Sequence, residues 1–198
     1  MSETVTSRQK DKIIRATAQL LRRRGFAATG LSDIIENSHT PKGSIYHYFP
    51  GGKDEIAAAA VHYAGDKVRR TLDELAATTT TPAALLRAYG ALLAGWMADS
   101  GFRDGCPITT AMLETAPDKI DVAAVGKAAF ASWSAVIEAQ LIASGVKQQR
   151  AQALSRLAIM TLEGALVLAR VEASPAPIRL ATDEIAALFE RECCDEAV

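Results

Sequence analysis

Thr40-Pro41-Lys42-Gly43-Ser44-Ile45-Tyr46-His47-Tyr48-Phe49 is the stretch on which the fold turns. Pro41 suits the first position of a helix, where its missing N–H needs no partner, and Thr40 is a residue type that caps such a start. Ile45 and Phe49 are four apart, so a helix puts both on one face, turned inward together with Gly43. Lys42, Ser44, Tyr46, His47 and Tyr48 are left for the other faces. These side chains suit DNA: lysine donates to guanine edges or phosphate, hydroxyls reach phosphate oxygens, and an aromatic ring meets a thymine methyl. The alternative for Tyr46, His47 and Tyr48 is packing beneath the head.

Upstream, Ser7 to Arg24 carries Ile13, Ala16 and Leu20 at spacings of three and four, one apolar stripe on a helix. Arg22-Arg23-Arg24 favours the negative end of the helix dipole, and Gly25 supplies a left-handed terminator. A second, short helix is predicted over Leu31 to Asn37, followed by the tight turn Asn37-Ser38-His39. Three helices therefore fit within the first fifty residues.

The net charge of the 198-residue chain is −1, yet through Lys53 nine basic side chains stand against four acidic ones, which gives +5 there and −6 for the remainder. A basic head suits an anionic polymer, since lysine and arginine displace counterions from phosphates; the other account is a solvated helix face. Apolar residues make up 49 % and charged residues 23 %, the balance of a folded globular chain. No apolar run of about 18 residues is expected to cross a bilayer, and the polar Met1 to Lys12 is not signal-like, so the expected location is cytoplasmic. Cys106, Cys193 and Cys194 form no C-x-x-C pair, and His39, His47 and His62 lie at no metal-ligand spacing. No metal or other cofactor is expected, and the adjacent Cys193 and Cys194 read as reduced surface residues. There is no G-x-S-x-G elbow, H-E-x-x-H pair or phosphate-binding glycine loop, so no enzyme is expected.

Gly25-Phe26-Ala27-Ala28-Thr29 followed by Pro41 to Phe49 resembles the head of the TetR family of bacterial repressors over roughly the first 55 to 60 residues. Phe49-Pro50-Gly51-Gly52-Lys53, with Gly105-Cys106-Pro107-Ile108 downstream, is similar to the LmrA/YxaF-like branch. The resemblance implies groove contacts from Lys42 and Ser44, phosphate or base contacts from Tyr46 and Tyr48, and a phosphate contact from Lys53 at the start of a fourth helix. Thr29 and Ser32 stand near the start of the second helix, where N–H groups and hydroxyls hold a phosphate. Arg15 and Arg22 to Arg24 either touch DNA or are solvated. Two departures stand out. The turn carries His39-Thr40 in place of glycine and a small apolar residue; histidine tolerates positive φ, and both residues join the set expected to face DNA. One extra residue separates Phe49 from Lys53, with Pro50-Gly51-Gly52 to absorb it.

The expected architecture is all-α, with a DNA-binding head over residues 1–52 and a helical ligand-binding and dimerisation body over 53–198. The body reads as helices at about Lys53 to Ala77, Pro82 to Ser100, Ile108 to Thr115, Asp121 to Ser144, Lys147 to Ala173 and Ile178 to Cys193. Leu157, Gly164 and Leu168 with Ile185, Leu188 and Phe189 are expected at the interface of a homodimer, the alternative being an ordinary core. Such a dimer would place two recognition helices about 34 Å apart on a palindromic double-stranded DNA operator. Trp96, Met97, Phe102, Met112, Phe130, Trp133, Ile137 and Met160 supply aromatic and adaptable walls for a small apolar or aromatic effector, each being otherwise a core residue. Glu114 and Glu163 are expected as buried carboxylates in structural or ligand-orienting roles. The rival function is a helical small-molecule-binding protein without sequence-specific DNA binding.

Overall fold

A computed structural model describes residues 2–195, with side chains from Arg8 to Cys194. The described residues form nine helices and no strand: α1 (Ser2–Arg24), α2 (Leu31–Ser38), α3 (Lys42–Tyr48), α4 (Lys53–Thr78), α5 (Pro82–Asp99), α6 (Pro107–Thr115), α7 (Ile120–Ala143), α8 (Gln148–Glu172) and α9 (Ala176–Asp195). The all-α expectation holds. Pro41 is the N-cap of α3, in extended conformation, and not its first helical residue as expected. Gly25 ends α1 at φ +77°, with its N–H on the Leu21 carbonyl at 3.0 Å.

Packing divides the chain into two compact units, one made of the residues through Lys67 with Cys106–Ala129, the other of Val68–Gly105 with Phe130 onward. These packing units do not coincide with the expected functional division between residues 52 and 53. The early part of α4 belongs with the head because Ile56 shares its core with Ile13, Leu20, Ile34, Ile45 and Phe49. Helix α6 packs on α1. Gly65 of α4 meets α7 so closely that a Cβ there would lie 2.8 Å from that of Ala129. Each large apolar side chain sealed in such a core contributes roughly 1.5–3 kcal/mol, so the six together fix α1, α2, α3 and α4 around one centre.

In the second unit α5, α8 and α9 pack on one another. Gly90 permits the contact of α5 with α9, since a Cβ there would collide with Thr182. The buried Thr182 hydroxyl donates to the Ile178 carbonyl at 2.7 Å. At the surface Arg87 pairs with Glu190 at 2.5 Å, and Arg150 of α8 pairs with Glu192 of α9.

Helix α7 is long and apolar enough to cross a membrane by length and composition, with a mean hydropathy of 1.4. That corrects the expectation that the chain has no such run. Part of its apolar surface is buried, Val122 in the first unit and Trp133, Ile137 and Leu141 in the second, while Ile120 and Ile142 are exposed.

Candidate functional site

Helices α2 and α3 and the turn between them form the candidate nucleic-acid interface. The turn is built on His39, which adopts the left-handed conformation at φ 52°, ψ 39° and donates its N–H to the Glu36 carbonyl. The tolerance for positive φ expected of this histidine is therefore used, and its side chain is exposed. Ile45 and Phe49 are 0 % and 1 % exposed and anchor α3 in the core of the head. Lys42, Gly43, Tyr46 and His47 are exposed; their numbering places them on one side of a helix. Tyr46 is 53 % exposed, a large ring held in solvent.

Gly43 corrects the sequence reading. It is exposed, and nothing lies within 4 Å of where its Cβ would be. It does not pack inward; it leaves the outer face of α3 without a side chain, so that the helix backbone can approach another surface closely.

Ser44 and Tyr48 are half-buried. Their hydroxyls lie 3.4 and 3.3 Å from Oε1 of Gln9 on α1, and Tyr48 packs against the apolar core of the head. Gln9 was missed because a lone glutamine on a polar helix face carries no pattern. Thr29 and Thr40 are corrected more strongly. Thr29 is 1 % exposed, its hydroxyl donates to the Gly25 carbonyl at 2.7 Å and its N–H to that of Phe26 at 3.1 Å. Thr40 is 5 % exposed and its hydroxyl is 2.6 Å from that of Ser38. Both threonines shape the loops from inside, with their polar atoms already satisfied. Ser32 is exposed in the first turn of α2.

Lys53, at the start of α4, lies with its ammonium 4.2 Å from the centre of the Phe26 ring and donates to the Ala27 carbonyl at 3.4 Å. The cation is thereby oriented by the loop joining α1 and α2. Of the flanking arginines, Arg24 pairs with Asp33 at 3.2 Å, and Arg15 lies 5.9 Å from the Tyr63 ring centre. Asp33 also accepts the Gly30 N–H at 2.9 Å, so it joins the end of α1 to the start of α2. Glu114, expected as a buried carboxylate, is exposed and accepts the N–H of Ala27.

The residues expected around an effector do not form one group. Met112 belongs to the first unit, its sulfur filling the space left by Gly126 of α7. Met160 is 64 % exposed on α8. Trp133, Ile137 and Met97 are core residues of the second unit, Trp96, Phe102 and Phe130 are half-buried, and Phe130 meets Trp133 edge-on at 5.2 Å. An open groove of about 460 Å³ between α5 and α9, bordered by Arg87, Gly90, Gly95, Arg179 and Asp183, is lined by none of these eight.

The residues expected at a dimer interface separate by helix. Leu157, Gly164 and Leu168 lie on an exposed stripe of α8, joined there by Met160, Val167 and Val171, the last 77 % exposed. Phe189 and Ile185 of α9 are instead buried in the subunit, and Leu180, not expected at an interface, is 65 % exposed. Leu188 is half-buried. The periodic stripe on α9 is visible in sequence, but which side of it meets α5 and α8 is not.

Residues 13–60 match the family model for bacterial regulatory proteins of the tetR family, and residues 82–184 match that for the C-terminal domain of LmrA/YxaF-like transcriptional regulators. An uncharacterised HTH-type transcriptional regulator from Mycobacterium tuberculosis is 36 % identical over 86 % of this chain and 89 % of its own length. YxaF, an HTH-type transcriptional regulator from Bacillus subtilis, is 29 % identical over 95 % of this chain and 100 % of its own. The solved structure of regulatory protein TetR from Rhodobacter sphaeroides superimposes with a TM-score of 0.79 at 26 % identity, covering 89 % of this chain and 96 % of that one. With a helix-turn-helix head and a helical body matched at both ends, the chain belongs to the TetR family of transcriptional regulators, in its LmrA/YxaF-like branch.

Proposed function

We propose that this protein is a transcriptional repressor that binds a palindromic operator as a homodimer and is released by a small apolar or aromatic effector. The observation that carries the reading is the outward side of α3, where Lys42, Tyr46 and His47 are exposed around a bare Gly43 while Ile45 and Phe49 seal the helix to its support. Lysine there supplies phosphate or guanine contacts, and the tyrosine supplies a ring and a hydroxyl to base edges and backbone. The +5 charge through Lys53 adds a salt-dependent attraction. A regulator of this kind works in the cytoplasm, on the chromosome.

The dimer reading is supported by the apolar stripe of α8, where Leu157, Met160, Gly164, Val167, Leu168 and Val171 are exposed. Contiguous apolar surface of this kind marks protein contacts. Effector release requires a ligand that binds more tightly to the state whose heads no longer fit the operator.

The test is titration of the DNA upstream of the protein's own coding region at two salt concentrations, with Lys42→Ala and Tyr46→Ala beside the wild type. Each substitution is expected to weaken operator binding by about 1–3 kcal/mol, with Lys42→Ala lowering the salt slope by about 1 if it contacts phosphate. Variants that bind like the wild type, without sequence preference, would point to a small-molecule-binding protein instead.

A further inference from the structure

The loop between α1 and α2 is tied on its inner side by Thr29, whose hydroxyl and N–H donate to the Gly25 and Phe26 carbonyls. Ala27 and Ala28 are exposed and carry no polar side chain. A further hold comes from a residue 87 positions away: the Glu114 carboxylate, near the end of α6, accepts the Ala27 N–H. Gly25 makes room for it, since a Cβ there would collide with Glu114 Oε1. One turn earlier on α6, the Thr110 hydroxyl lies 2.8 Å from the Leu21 carbonyl at the end of α1 and 2.9 Å from that of Cys106, so one proton serves both. Just beyond α6, Lys119 pairs with Asp54 of α4 at 2.6 Å and stands 5.6 Å from the centre of the Phe26 ring that Lys53 also approaches. The opposite flank of α6 is seated on α7, where Met112 occupies the gap at Gly126. Helix α6 and the segment just after it thus hold the end of α1, the following loop and the start of α4 through three separate polar contacts.

We infer that Glu114 is a positioning residue for DNA binding: through the Ala27 N–H it fixes the α1–α2 loop, and so the placement of α2 and α3 against the operator. The consequence reaches α2 because Asp33, in its first turn, accepts the N–H of Gly30 at the loop's end. The sign of the effect separates this role from plain electrostatics. Removing a carboxylate from a surface that meets a polyanion strengthens binding, whereas loosening the loop weakens it.

The inference rests on the DNA-binding reading, and its test uses the full chain with the operator fragment the wild type selects. Glu114→Ala is expected to lose about tenfold in operator affinity despite the more favourable charge. Glu114→Gln, which keeps an acceptor oxygen at the same reach, is expected to stay within about threefold of wild type. Glu114→Asp keeps the charge but falls one methylene short, and is expected to behave like Glu114→Ala even where the latter folds poorly. Hydrogen exchange at the Ala27 amide should quicken in the Ala and Asp variants and not in Gln. Glu114→Asp binding operator as the wild type does, or Glu114→Gln falling as far as Glu114→Asp, overturns the inference. A wild type that selects no DNA overturns the DNA-binding reading itself, and the inference with it.

Discussion

Helices α3 and α8 make opposite choices about what to leave in solvent. In α3 the apolar Ile45 is sealed away while Lys42, Tyr46 and His47 are exposed. In α8 the apolar Leu157, Met160, Val167, Leu168 and Val171 are exposed, although Leu154, Ile159, Leu162 and Leu166 of the same helix already fill a core. A helix that is polar outside and apolar inside needs only its own support, whereas one that is apolar on both sides needs a second surface. In the proposed function the first serves a polyanion and the second another copy of the chain.

The sharpest way to break this contrast is Leu168→Glu. A carboxylate brought unpaired into a two-fold apolar contact costs about 4 kcal/mol, so the dimer dissociation constant should rise roughly a thousandfold by sedimentation. An unchanged dimer would move the contact surface off the α8 stripe. Next in size is Gly43→Val, which places a branched side chain where there is now open space. Operator affinity should fall about a hundredfold by steric exclusion, while the thermal midpoint holds or rises because valine is the better helix former. A fall in stability with unchanged DNA binding would return Gly43 to a packing role.

His39→Gly sharpens the support of α3. The left-handed φ of His39 suits glycine, and relief of that strain outweighs the added freedom of the unfolded chain by about 0.5–1 kcal/mol. A midpoint higher by roughly 2 °C is expected, and any accompanying loss of operator affinity would assign a contact to the imidazole. The smallest effect belongs to Arg150→Met at the start of α8. The hydrogen bond from Arg150 holds the Glu192 carboxyl below its ordinary range, so the pair stabilises above that range and the contribution is lost as pH falls through the lowered value. Because the pair is partly exposed to solvent, the variant should lose under about 1 kcal/mol at neutral pH and nothing in strong acid, as measured by denaturant unfolding at both.

What was legible in sequence is what periodicity and termini encode. Ile13, Ala16 and Leu20 with Gly25 delimit the buried face and the end of α1, and Pro82 marks the start of α5. Residue type alone misled where a polar group could be satisfied from within. Thr29 looks like a phosphate donor and Thr40 like a DNA-facing cap until their hydroxyls are found bonded to Gly25 and near Ser38. Met160 looks like a pocket wall because methionine suits one, yet its position on α8 turns it outward. Glu114 lay beyond reading as a loop clamp, since its partner is a backbone N–H far away in the chain. The packing units were not legible for a related reason: helices α4 and α7 run on without a break in pattern while their packing partners change.

The brevity of α3 sets a limit on how much text the protein reads. Seven helical residues rise about 10 Å, and at 3.4 Å per step of DNA that spans roughly three base pairs. Two such helices, one from each half of the proposed dimer, spell about six letters. A word of six letters recurs by chance about once in four thousand, hence hundreds of times among the roughly 10⁶ or more sites of a genome. Even with the two words at one fixed distance, the address of a single gene must therefore be completed by something other than spelling, such as the stiffness of the DNA that joins them.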